Sequence, residues 1–417
     1  MVFRKYKPVK QWGKMDTRIF KEIFNSRNKR RMPSFVVPEG VEAVKAKVYD
    51  RNDPFLFENQ IKQDVHLEAK APFTEPEITQ HPLYKSAPAF VFEGAEAMSD
   101  GVAQAQVLTN CVVKHGLPEV VLQHSAKIEV DESLVKDAIL HGEKYDPTLE
   151  KLPERFDPIL FWIKHVRVHG TPVIKRNNII LNNLVRHVQF AGIHNGSLKD
   201  PIQVVRDSPI SAIIRNENLF ASSPFVVRGQ PHLTLQTRDS IVNRPWAGPN
   251  DIEAYSQELL PDIYPLSPVI DLQKDNLYND DVLVPQPTSK QHHIHSILWS
   301  REQNQKYPWT REQNLANALL QTYGAAVAQA TRAGKTTLEK PILVRGAQLV
   351  DGRLDLVAFQ LNSLDSSVKN LAWVEKGVRL YQPKPYFEQM VEVEKLDMNV
   401  FKKFASLFLG FGSAHAH

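Results

Sequence analysis

The stretch that decides the fold is TREQNLANALLQTYGAAVAQATRAG, residues 310–334, followed closely by ILVRGAQLVDGRLDLVAFQL, residues 342–361. Thr310 and Gln313 stand at capping-box spacing, so each side chain can serve the other residue's backbone N–H. Leu315, Leu319, Tyr323, Val327 and Ala330 then recur at helical intervals, and Gly334 stands where a helix can end. Ile342-Leu343-Val344 and the run Leu354 to Leu361 flank Asp351-Gly352, a turn signal, and predict an antiparallel hairpin. Leu371 to Val374 and Val378 to Tyr381 flank Lys376-Gly377 and predict another. A closing helix starts near Asn399, turns Val400, Phe401, Phe404, Leu407 and Phe408 inward, and meets Gly410. The class is therefore α+β, with mostly antiparallel sheets and flanking helices.

Residues Gln313 to Thr331 carry no charge and are long enough to cross a bilayer. Gln313, Asn314, Asn317, Gln321 and Gln329 would leave five amides in hydrocarbon, which excludes a membrane span. The whole chain has 417 residues, is 42% hydrophobic and 24% charged, and so can bury a large core. Disorder throughout and a fibrous chain are excluded on the same grounds. A single cysteine, Cys111, rules out an intrachain disulfide and a cysteine-built zinc site, and points to a reducing compartment.

Charge is unevenly placed. Residues 1–32 hold eleven Lys and Arg against Asp16 and Glu22, a local net of +9, whereas the whole chain carries only +4. Arg4, Lys5, Lys7, Lys10, Trp12, Lys14, Arg18, Arg27, Lys29, Arg30 and Arg31 are the candidate RNA-binding set. Cations displace counterions from phosphates, and Trp12, with Phe3, Tyr6, Phe20 and Phe24 beside it, can stack on unpaired bases. A matrix-directed presequence is also basic and acid-poor, but it is usually Ser-rich, and only Ser26 appears here. A solvated leader is the plain alternative.

Seven prolines within residues 33–98 leave little periodicity and suggest an extended wrap, so residues 1–98 read as a basic, then proline-rich, extended arm. Residues 99–244 read as helices followed by strands. Ser99 caps a first helix carrying Val102, Val107, Leu108, Cys111 and Val112. Asp131 caps a second with Leu134, Val135, Ala138 and Ile139 on one face. A third runs from about Pro158 to Val168. Val173-Ile174, Ile179-Ile180-Leu181, Ile213-Ile214, Phe225-Val226-Val227 and Leu233-Thr234-Leu235 read as strands, with turn signals at Asn182-Asn183, Asn195-Gly196 and Arg228-Gly229. Residues 245–309 form an acidic, proline-rich connection. Asp251 to Leu283 holds eight carboxylates against Lys274, and so should meet a basic protein partner or wrap the surface rather than face RNA. Residues 310–417 are the C-terminal α+β segment, expected to pack with 99–244.

Complete catalytic sets are missing from the sequence. Gly334-Lys335-Thr336 resembles the end of a phosphate-binding loop, but Gln329 stands where its first glycine belongs, and a helix precedes it instead of a strand. His165 and His169 have the spacing of two metal ligands on a helix, but Val166 stands where a metalloprotease needs its glutamate. His292, His293 and His295 find no fourth element. Cys111 lies among Val107, Leu108, Val112 and Val113, where a thiol stays protonated. No Gly-x-Ser-x-Gly or Gly-x-Gly-x-x-Gly motif is present, and the 18 glycines are few. Lys164, Arg167, Lys175, Arg176, Arg186 and His187 make a modest basic cluster, available for phosphate contacts or simply solvated.

Four stretches carry a resemblance: His81-Pro82-Leu83-Tyr84-Lys85; Tyr264-Pro265-Leu266-Ser267-Pro268-Val269-Ile270-Asp271-Leu272; Phe359-Gln360-Leu361-Asn362 with Val368-Lys369-Asn370-Leu371-Ala372-Trp373-Val374; and Phe401-Lys402-Lys403-Phe404 with Leu407-Phe408-Leu409. In this order and at these separations the sequence resembles, from about residue 80 to its end, the animal family of mitochondrial large-subunit ribosomal protein thirty-seven. That family is related to another mitoribosomal protein, programmed cell death protein nine. The resemblance implies a non-catalytic structural constituent of the mitochondrial large ribosomal subunit in the matrix. Its implied partners are mitochondrial rRNA and other large-subunit proteins, including the related paralogue. It transfers no catalytic residue, cofactor or metal. Core or inter-protein packing is the preferred role for Ala372, Trp373, Pro265 and Pro268. A matrix enzyme, or a degenerate one with a nucleotide or metal site, and a scaffold without RNA contact are the alternatives.

Overall fold

A computed structural model describes residues 37, 39–44, 77–144, 150–155, 157, 159–195, 198, 202–215, 220, 223–238, 245–279, 282–285, 292–303, 307–332, 338, 340–364, 368–385, 388 and 390–409. The chain divides into two compact units, Met1–Pro76 and Glu77–His417. In the first, one short helix is described, α1 (Glu39–Ala43). The second holds the rest of the fold. The predicted arm, residues 1–98, lies largely outside the described residues. Its last part does not wrap: Tyr84–Phe92 is a strand, β1, and Pro88 sits where its pairing with a neighbour shifts register.

The helix expected from the central stretch is present as α7 (Arg311–Arg332). Its capping box is complete: Gln313 N–H donates to Thr310 Oγ1 at 3.2 Å and Thr310 N–H to Gln313 Oε1 at 2.9 Å. Sixteen of its 22 residues are buried, which is more than one face. The reason is its position between two sheets. On one side lies a seven-stranded sheet of β2 (Cys111–His115), β13 (Asn370–Arg379), β12 (Arg353–Leu361), β11 (Ile342–Val350), β10 (His292–Arg301), β8 (Leu233–Arg238) and β5 (Gln203–Arg206), in that order. On the other is a four-stranded sheet of β6 (Ile210–Ile214), β7 (Phe225–Gly229), β1 and β9 (Gln273–Leu277). A third, two-stranded sheet pairs β3 (Glu150–Lys151) with β4 (His169–Gly170). Of the ten described pairings, β1–β7, β10–β11 and β13–β2 are parallel and the others antiparallel, as the α+β reading requires.

A helix between two sheets needs small side chains where the backbones approach. A Cβ added at Gly324 would lie 2.4 Å from Val227 Cγ1 of β7, and one at Gly346 of β11 would lie 2.0 Å from Thr322 Oγ1. The first core therefore joins Leu315, Leu319, Tyr323 and Val327 of α7 to Phe225, Val227, Val344 and Phe359 from the two sheets. A second core lies on the other face of the large sheet. There Ile180, Leu184 and Val188 meet Phe401, Phe404 and Phe408 over Leu349, Leu354 and Leu356. Those phenylalanines belong to the closing helix α8 (Met398–Leu409), at the place the sequence indicates.

Five local expectations are corrected. Residues 173–181 are not strands but the start of a 22-residue helix, α5 (Val173–His194), whose Asn177, Leu181, Leu184 and Val188 form a buried stripe. Helical period outweighs the β-branched pairs there, and Asn195 is its C-cap rather than a hairpin turn. Residues 159–168 form no helix, because the Asp157 carboxylate accepts the Ile159 and Leu160 N–H groups and starts a turn. The first helix, α2 (Gly101–Thr109), stops at Asn110 in the left-handed conformation (φ 46°), so Cys111 is on a strand. Ser99 does not cap it: its N–H and hydroxyl donate to Asp271 at 2.7 and 2.8 Å. Lys376-Gly377 is a bulge inside the continuous β13, since Leu354 pairs with Val378 and Leu356 with Glu375. Asp351-Gly352 is the expected turn, with φ of 49° and 67°. Asp131 caps α4 (Glu132–Glu143) as read, accepting from Ser133 N–H.

Gly324→Ala is expected to lose about 1–3 kcal/mol of stability by overpacking against Val227. Chemical denaturation of the purified variant checks this as a lower midpoint at an unchanged slope.

Candidate interaction site

Two of the four resembling stretches, 264–272 and 359–374, act as clamps in the folded unit. Gln360 Oε1 accepts the Trp246 and Ala247 N–H groups at 2.9 and 3.1 Å, and its Nε2 donates to Ala247 O and Asn362 Oδ1. Asn370 Oδ1 accepts from Asn362 N–H and Ser363 N–H while its Nδ2 donates to Thr109 O. Trp373 meets Trp246 edge-on, ring centres 5.9 Å apart, and Ala372 is buried. In the proline stretch, Asp271 holds Ser99, and Pro268 O accepts from Gln104 Nε2 of α2. Ala372 and Trp373 pack inside the molecule, whereas Pro265 is exposed.

A polar network ties α7 to the large sheet. Gln348 Oε1 accepts from Trp299 Nε1 at 2.9 Å and Asn317 Nδ2 at 3.0 Å. Its Nε2 donates to Asn314 O and to Asp355 Oδ2. Asp355 Oδ1 in turn accepts the N–H of Gly377 at 2.7 Å, and so satisfies the bulge. Burial pushes the Asp355 carboxyl up to about 7, against the pull of these two donors and of Arg353 and Arg311.

The candidate RNA-binding residues of the arm, Arg4 to Arg31, lie outside the described residues. Within the body, the basic cluster is dispersed by the fold. Arg176 is buried, pairs with Glu143 at 3.2 Å and donates to Thr171 O. Tyr381 Oη donates to the same Glu143, and burial followed by that carboxylate raises the phenol well above its usual range. Lys175 pairs with Glu150. Lys164, Arg167 and Arg186 are exposed, and His187 is half-buried, its proton affinity lowered by burial and then by Arg186. The acidic stretch is largely engaged within the molecule. Asp251 takes Gly248 N–H, Glu258 pairs with Lys114, Asp262 takes Tyr264 N–H, and Asp275 pairs with Arg228.

His165 and His169 fall in a loop and a strand, not one turn apart on a helix. Of the three neighbouring histidines, His292 and His295 are buried on β10, and among the described residues no group of three or more His, Cys, Asp or Glu could hold a metal ion. Cys111 is buried, and burial raises its thiol well above the usual range. Gly334, Lys335 and Thr336 lie outside the described residues. No helix described is long and apolar enough to cross a membrane.

Sequence reading missed one surface feature. The loop between β3 and β4 exposes Ile159, Phe161, Trp162 and Val166 at 78, 70, 64 and 91%. Its signal in the sequence is the absence of any carboxylate from Pro158 to Lys199, alongside a run of apolar residues that has no polar alternation.

Fold and clamps define an α+β protein built round one buried helix and joined by internal polar networks. Its sequence is similar to curated large ribosomal subunit proteins mL37. The mL37 of Rattus norvegicus is 29% identical over 359 residues, which span 80% of this chain and 77% of that protein. The mL37 proteins of Bos taurus and Gallus gallus are 27% and 26% identical over similar spans. The resemblance read from the four stretches thus holds over four-fifths of the chain. No family model matches the chain.

Asp355 yields a pH dependence with a definite sign. Its carboxyl is raised to about 7 in the folded chain and is near 3.9 in an unfolded one. The folded state therefore binds the extra proton, and the stability tied to it is complete below about pH 4 and lost as pH rises through about 7. The slope is at most about 1.4 kcal/mol per pH unit. Thermal unfolding between pH 5 and 8 should show this fall, and Asp355→Asn, which still accepts from Gly377, should flatten it.

Proposed function

We propose that this protein is a structural constituent of the mitochondrial large ribosomal subunit, located in the matrix and without catalytic turnover. Its body supports neighbouring subunit proteins, a related paralogue among them, and its basic arm contacts rRNA. The observation that carries this reading is the likeness to mL37 over four-fifths of the chain. Supporting it, residues of two of the resembling stretches are used as internal clamps, which suits a rigid building element. The net charge of +9 in residues 1–32, with five aromatic residues among the cations, suits a flexible strand of phosphates and unpaired bases.

Sedimentation of the tagged full chain from a mitochondrial lysate tests the proposal. Co-migration with the large subunit is expected, and a position at the top of the gradient contradicts it. Removal of residues 1–32 is expected to leave the body folded and to lower the salt concentration at which the protein leaves the particle. Unchanged salt resistance would show that the arm is no anchor.

A further inference from the structure

We infer that the loop between β3 and β4 is a protein-docking element whose partner offers an apolar pocket rimmed by carboxylates. The loop is built to project. Glu150 pairs with Gly170 and Lys151 with His169, and Leu152 N–H donates to Val168 O at 2.9 Å, so the stem is closed. Leu152 is buried and seats the stem, and the Lys175–Glu150 ion pair ties it to α5. Beyond the stem, Asp157 accepts the N–H groups of Ile159 and Leu160 at 2.9 and 3.0 Å, and Ile163 N–H donates to Leu160 O. Phe161 and Trp162 meet edge to face, ring centres 5.0 Å apart and planes at 82°. Hydrogen bonds and a ring contact thus preorganise the tip, which lowers the ordering cost of binding.

Its chemistry selects the partner. Six large apolar side chains, Ile159, Leu160, Phe161, Trp162, Ile163 and Val166, are exposed together, which isolated soluble surfaces rarely show. Aromatic anchors beside aliphatic contacts are the composition of an interface centre. The loop's ascending side carries exposed Glu154 beside exposed Arg155, and the Asp157 carboxylate is taken up by the Ile159 and Leu160 N–H groups; past them Lys164 and Arg167 are exposed, and no carboxylate occurs from Pro158 to Lys199. An acidic rim on the partner would complement them. RNA could stack on Phe161 and Trp162 but would give Ile159, Leu160, Ile163 and Val166 nothing apolar to meet. A bilayer would have to take in Lys164 and His165, which lie between Ile163 and Val166.

This inference concerns the loop alone and stands apart from the role of the arm. The test is a photo-crosslinking residue at Trp162 in the full chain, expressed in cells, with adducts sorted by nuclease and protease digestion and mapped. A protein adduct at a peptide bearing apolar residues and Asp or Glu is expected. It should be weakened by Lys164→Glu/Arg167→Glu. An RNA adduct, a lipid adduct, an adduct within this chain or with a second copy, or none, overturns the inference. Trp162→Ser should weaken the captured complex roughly 30-fold, as loss of an interface anchor does, while leaving the unfolding midpoint unchanged. A lowered midpoint with undiminished capture would instead make Trp162 a folding residue. Sedimentation with the large subunit is read separately, so failure of the ribosomal assignment and failure of this inference are distinguishable.

Discussion

The fold depends on one constraint, the close approach of two sheets to opposite sides of a single helix. Only a helix rich in Ala and Gly lets the backbones come this near, and α7 supplies Ala316, Ala318, Gly324, Ala325, Ala326, Ala328 and Ala330, all buried. Its larger residues, Leu315, Leu319, Tyr323 and Val327, then fill the space between strands. Desolvation forbids unpaired charge in such a place, which is why nineteen consecutive residues carry none. The amides that exclude a membrane span have a positive role here. Asn317 joins the Gln348 network, the Asn314 side chain donates to Thr310 O and accepts from Arg301, and Gln329 Oε1 accepts the N–H of Ile294 at 3.0 Å.

From that helix the order spreads through polar contacts as well as apolar ones. Gln348 connects α7 to β10 and, through Asp355, to the bulge of β13. Gln360 and Asn370 fasten the connection near Trp246 and the end of α2 to the far strands. Hydrogen bonds fix direction and register more tightly than apolar contact does, because a buried amide left without partners costs about 1–3 kcal/mol. A molecule organised in this way holds its shape.

Parts of this were legible before the structure. The capping box, the periodic Leu315–Ala330 stripe, the Asp351-Gly352 turn and the closing Phe401–Phe408 helix are local signals that tertiary packing reinforces. Segments with competing signals are not legible in this way. In α5, paired β-branched residues masked a stripe visible only at a spacing of three and four. The bulge at Lys376-Gly377 looks like a hairpin because the donor that stabilises it, Gly377 N–H, answers to Asp355, which is 22 residues away. Arg176 joined the basic cluster on sequence proximity, yet its charge is met by Glu143 inside the core. Sequence favours a helix for the exposed loop because apolar composition alone does not say whether a surface exists to cover it.

Hydrogen exchange along the folded chain measures the central claim directly. If the helix between the sheets organises the unit, amides from Leu315 to Ala330 should exchange most slowly, and those of β7, β11 and β12 should open with them in one cooperative step. Early exchange in α7 while either sheet stays protected would contradict it.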